Sequence, residues 1–154
     1  IIYTKRKMRV IKSISITLVL SLTCLLENYL NTFISYDFGI YIFFLSLIFI
    51  GVDVFNQNMV HPIFFVGILY DAFFSTYYLG LYSSIFIAIL MISNFLTSKY
   101  GKANITYLIV ITVSLLIYKL PIIIQFDASY WLASYLISII INFFVFVLFK
   151  RVSK

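Results

Sequence analysis

The chain has 154 residues, of which 64% are hydrophobic and only 10% charged, with a net charge of +6 and a mean hydropathy of +1.11. A water-soluble domain carries about a quarter charged residues, so the composition excludes the soluble classes and predicts an all-α, polytopic membrane protein. The basic excess sits mostly in Lys5 to Lys12 and Lys150 to Lys154; beside apolar runs, such clusters mark topology and contact with anionic lipid heads, and no nucleic-acid partner is expected.

Six spans are predicted in a single integral membrane domain over 1–154. The first runs over about 12–33 and is read as a retained helix rather than a cleaved leader. Its apolar run is long, it contains Glu27, and no small-x-small site follows. The second covers about 39–55 and is closed by Asn56-Gln57-Asn58. The third covers about 59–74, with His61-Pro62 at its start, where the missing proline N–H would be unpaired in any case. The fourth covers about 81–98. The fifth covers about 104–124, with Pro121 a candidate early end. The sixth covers about 130–149.

Lys and Arg in the short connections set the orientation. The N-terminal segment, the loop carrying Lys99 and Lys102, and the C-terminal segment hold them. The connections Ser35 to Phe38, Ser75 to Gly80 and Gln125 to Ser129 hold none. Both termini are therefore expected to be cytoplasmic. Tyr130 and Trp131 open the last span at the opposite interface, which agrees with that sign.

Polar residues inside the spans carry the remaining information. Ser13, Thr17, Ser21, Cys24 and Asn28 recur at helical spacing on one face of the first span, and Ser134, Ser138 and Asn142 do so on the sixth. Such stripes serve either packing within the bundle or docking of a partner's helix. Cys24 is the sole cysteine, a small packing residue with no disulfide partner in the chain. Asp37 and Asp127 fall in outer connections, Asp53 near the inner end of the second span, and His61 at an interface.

Three charges remain within the spans. Glu27 lies about 22 Å along its helix, Asp71 about 18 Å and Lys119 about 22 Å, at about 1.5 Å per residue, so all three are expected at one depth in the outer half. A lone charge in hydrocarbon costs a few kcal/mol. Two acids and one base at one level predict that Lys119 pairs with Asp71 or Glu27. No metal set, nucleophile–base set or phosphate-binding glycine loop is legible, so neither a cofactor nor an enzymatic activity is expected.

The central stretch HPIFFVGILYDAFFSTYYLGLYSSIFIAILMISNFL resembles the signature region of the rod-shape-determining MreD family. The match lies in Gly67 and Asp71 at a helix end, a short connection, and Leu79-Gly80 opening the next apolar helix. It is sharp over about 35 residues and elsewhere rests on layout. The chain departs from the family pattern at Ser75-Thr76-Tyr77-Tyr78, where a small residue, often glycine, is usual. The resemblance implies a fold like the S components of energy-coupling-factor transporters. It also implies a non-enzymatic scaffold in the bacterial plasma membrane that binds MreC and works with RodA, its transpeptidase and MreB in peptidoglycan synthesis and cell shape. On this reading Asp71 braces an outward turn, and Tyr77 and Tyr78 are presented to MreC. The alternative is a substrate-binding S component of a vitamin transporter.

Overall fold

The computed structural model describes residues 2–33, 39–125 and 128–152, with side chains described from Ser13 onward and not for 125–130. All regular structure among them is helical. The helices are α1 (Ile2–Phe33), α2 (Ile42–Phe49, continued by a π-helical turn, Ile50–Val54), α3 (Val60–Phe74), α4 (Leu81–Tyr100), α5 (Asn104–Tyr118), α6 (Leu120–Gln125) and α7 (Ala128–Val152). Three of them contain segments long and apolar enough to cross a membrane: Ser13–Phe33, Leu81–Tyr100 and Trp131–Val152. α2 with its π turn and α5 are apolar but shorter. Fifteen residues, the length of α3 or α5, rise about 22 Å against a hydrocarbon core of about 30 Å.

Short connections join α3 to α4 and α4 to α5, and the helices of each pair pack together. α4 is the hub, packed against α3, α5 and α2, while α1 lies on α2 and α3 and α7 lies on α5. The interior is built from Phe43, Phe44, Leu47 and Ile48 of α2, Phe86, Ile89 and Leu90 of α4, and Ile111 and Leu115 of α5, all fully buried. Large apolar side chains also cover the outside of the bundle, among them Leu18, Leu22, Ile105, Leu136 and Phe144. Two tight backbone approaches set the spacing around α4. Gly51 of the π turn faces Ser93, and Gly67 of α3 faces Ser83. Contacts between small residues of this kind are how helices pack closely where water supplies little driving force.

The predicted fifth span is interrupted. α5 stops at Tyr118, and α6 begins at Leu120. Pro121 has no N–H to give, and its ring crowds the carbonyl one turn back, so a continuous helix is disfavoured. Lys119 sits at the break. Its N–H still reaches Leu115 O at 3.0 Å, and its carbonyl accepts from the N–H groups of Ile122 and Ile123, each at 3.0 Å. Elsewhere the helices begin or end within a few residues of expectation, except that α1 starts at Ile2, ten residues before the predicted span.

Each of the two small-residue stripes is buried in part. In α1, Thr17 donates to Ser13 O at 2.9 Å, Asn28 donates to Cys24 O at 3.0 Å, and Cys24 is buried. In α7, Ser138 and Asn142 are fully buried, with partners on other elements described below.

Candidate functional site

At the end of the bundle where α1, α3 and α5 finish and α2 and α4 begin, buried carboxylates hold the helix starts. The first four N–H groups of a helix lack intrahelical partners, and neither α2 nor α4 supplies a capping side chain of its own. For α4 the acceptor is Asp71, from the last turn of α3. Its Oδ2 accepts from the Gly80 N–H at 2.7 Å and its Oδ1 from the Tyr82 N–H at 3.1 Å. Asp71 is only 4% exposed, and a negative charge at a helix N-terminus is favourable.

The chain can make that turn because Gly80 adopts φ +99°, ψ −8°, a region glycine enters without steric cost. The Leu81 N–H closes the turn on Tyr78 O at 3.2 Å. One helical turn before Asp71, a Cβ on Gly67 would lie 2.3 Å from Ser83 Cα, so no larger residue allows this crossing. Ser83 also donates to Phe64 O at 3.2 Å. Asp71, Gly67 and Ser83 thus stitch α3 to α4.

For α2 the acceptor is Glu27 of α1, only 3% exposed. Its Oε2 accepts from the N–H groups of Phe43 at 2.7 Å and Phe44 at 3.2 Å, and its Oε1 accepts from the Tyr118 hydroxyl. Asn142 of α7 completes the set. Its Oδ1 accepts from the Tyr41 N–H at 3.1 Å, and its amide donates to Ser138 O at 2.8 Å and to Gly39 O at 3.5 Å. The start of α2 is therefore held by side chains from α1 and α7.

This geometry corrects one expectation. Lys119 and Glu27 line the same cavity, but among the described residues the hydrogen-bond donors to Glu27 and Asp71 are backbone N–H groups and Tyr118, not Lys119. The Lys119 ammonium donates to Ser138 Oγ at 3.3 Å and lies 5.1 Å from the centre of the Tyr41 ring. The sequence anticipated Asp71 as the brace of the turn before α4, and it missed the partners of Glu27. The signal for Asp71 was a glycine opening the next helix nine residues on; Glu27 has no comparable local signal.

Tyr77 is a second correction. It is half-buried, its N–H bonds Ser75 Oγ at 3.0 Å, and its hydroxyl donates to Pro121 O at 3.2 Å, tying the turn to α6. The residues the turn displays are Tyr78, 89% exposed, and Leu79, 70% exposed. His61 is exposed at the opposite end, at the start of α3. Asp37, Asp127 and the side chains of Lys5 to Lys12 and Tyr130 lie outside the described residues.

Beneath the turn is a cavity of about 860 Å³ whose lining includes Glu27, Asn31, Tyr41, Tyr77, Tyr118 and Lys119. Aromatic rings form part of its wall: Tyr41 meets Tyr118 edge-on at 5.7 Å, and Tyr70 lies 4.5 Å from Tyr82. The Asn31 Oδ1 atom is buried there without a hydrogen-bond partner among the described residues. The cavity combines an ammonium, amides, hydroxyls and aromatic faces, which suits a polar or amphipathic group better than a hydrocarbon chain.

At the other end of the bundle, Asp53 of the π turn bridges Lys102 at 2.7 Å and Lys150 at 3.3 Å, and Lys150 also donates to the Tyr107 hydroxyl. The hydrogen bond to Asp53 holds the Lys102 ammonium above its ordinary pKa. Among the described residues no three His, Cys, Asp or Glu side chains converge as a metal-ligand set. Comparison with protein-family models, with curated proteins and with solved structures gives no match.

Proposed function

We propose that the chain is a non-enzymatic membrane scaffold of the kind the MreD resemblance implies. It crosses the bacterial plasma membrane six times with both termini in the cytoplasm, and it binds a bitopic MreC-like partner in the elongation machinery. The observation that carries this reading is the braced turn. A buried acid, a close helix crossing and a glycine with positive φ are spent on fixing a loop whose tip, Tyr78 and Leu79, makes no use of that order itself. An aromatic and an apolar side chain held on a rigid support suit a protein contact, because little ordering entropy is lost on binding.

Affinity purification from native membranes tests this. The chain should recover MreC, and Tyr78→Ala combined with Leu79→Ser should lower recovery several-fold with expression and folding unchanged. Undiminished recovery by the double variant overturns the turn as the contact. Recovery of an ATPase-linked coupling subunit without MreC overturns the scaffold.

A second reading has its own observation. The cavity below the turn, with Lys119, Asn31 and several tyrosines, suits the substrate-binding subunit of a vitamin transporter. That reading predicts stoichiometric co-purification of a small molecule, lost in Lys119→Met.

A further inference from the structure

We infer that the cleft between the start of α5 and the end of α7 is a binding site for the phosphate of an anionic phospholipid. The cleft has a volume of about 190 Å³ and is lined by Lys102, Asn104, Tyr107, Val147, Lys150 and Arg151. At about 30 Å³ per water in the liquid, it takes a group the size of a phosphate with its ester oxygens.

Its charge is unbalanced. Lys102 and Lys150 converge on the single carboxylate of Asp53, and Arg151 adds a third cation. Asp53 offsets one of the three, so the cleft keeps a positive surplus that a phosphate would complete. The lysines are prepositioned by their neighbours. Lys150 is held between Asp53, the Tyr107 hydroxyl and the Tyr107 ring, 3.9 Å from its centre. The donors left to a ligand are those suited to a phosphoryl oxygen: the Arg151 guanidinium, the Lys102 ammonium and the Asn104 amide.

The surface beside the cleft favours a lipid over a free ion. Leu108 lies one turn along α5 from Asn104, and Phe144 and Ile140 lie one and two turns back along α7 from Val147. All three are exposed and apolar. Side chains at these spacings share a face with the cleft residues, so acyl chains can follow α5 and α7 away from a bound headgroup. Basic pockets between membrane helices are a known mode of lipid headgroup recognition. The inference rests on the membrane placement and on neither partner reading.

Lipid binding to the full chain in detergent, titrated by native mass spectrometry, tests it. Phosphatidylglycerol should bind more tightly than phosphatidylcholine with the same acyl chains. Lys102→Gln and Arg151→Gln should each weaken phosphatidylglycerol about fivefold, the effect of one basic residue near a membrane surface. Lys99→Gln, at the end of α4 and outside the cleft, should change little. Asp53→Asn should tighten binding, a gain that loss of structure cannot produce. Equal binding of the two lipids, equal weakening by Lys99→Gln, or weakening by Asp53→Asn overturns the site. Competition by millimolar inorganic phosphate that removes the phosphatidylglycerol preference assigns the cleft to free phosphate and overturns the lipid assignment.

Discussion

Glu27 and Asp71 do the same work at two places: each is a carboxylate carried on one helix that accepts the unpaired N–H groups at the start of another. A buried carboxylate is tolerable when its lone pairs are filled, and here they are filled by backbone donors that would otherwise be orphaned. The Glu27–Tyr118 contact joins α1 to α5 across 91 residues of sequence. Glu27→Gln and Tyr118→Phe should therefore be non-additive. A double-mutant cycle in detergent, read by thermal unfolding, should give a coupling of about 0.5–3 kcal/mol; strict additivity would mean that the hydrogen bond contributes nothing. That Glu27 and Asp71 were buried was legible in the sequence, because each interrupts a long apolar run. The brace that Asp71 gives the turn at Gly80 was legible too, but the partners of Glu27 were not, because they lie on other helices that only packing brings beside it.

Among the helices, α4 depends on two glycines for different physical reasons, and substitution separates them. At Gly67 the obstacle is space: an added methyl meets Ser83 backbone atoms, and α3 and α4 must part. At Gly80 nothing lies within 4 Å of an added Cβ, and the obstacle is the backbone angle alone. Gly67→Ala should cost about 1–3 kcal/mol by overpacking. Gly80→Ala should cost about 1–2 kcal/mol from the left-handed backbone, and Gly80→Asn less, because asparagine tolerates that conformation. A Gly67→Ala protein as stable as the parent would show that the crossing has slack. The helix-ending role of Pro121 was readable from the sequence, but the break falls at Lys119, two residues earlier, because the proline acts on the turn before it.

For the whole molecule, the described Lys and Arg residues other than Lys119 gather at one end of the bundle, and the cavity and the braced turn lie at the other. In the proposed six-span topology the basic end would face the cytoplasm. With Cys24→Ser as background, a single cysteine at position 78 should react with an impermeant thiol reagent applied from outside the cell. One at position 99 should react only after the membrane is opened. The reverse pattern would invert the protein. Labelling of both from outside would break the six-span count.

The sequence by itself determined what depends on local order. An apolar excess in long runs dictates helices, charges and asparagines mark most of their ends, and Gly67, Asp71 and Gly80 mark a constrained turn. Only the tertiary structure decided what the polar residues inside the helices touch. Glu27 meets Phe43 sixteen residues on, and Asn142 meets Tyr41 across 101 residues. The reason is physical. Helix formation is written in periodicities of three and four residues, whereas the satisfaction of a buried carboxylate depends on which helix start packing brings within about 3 Å.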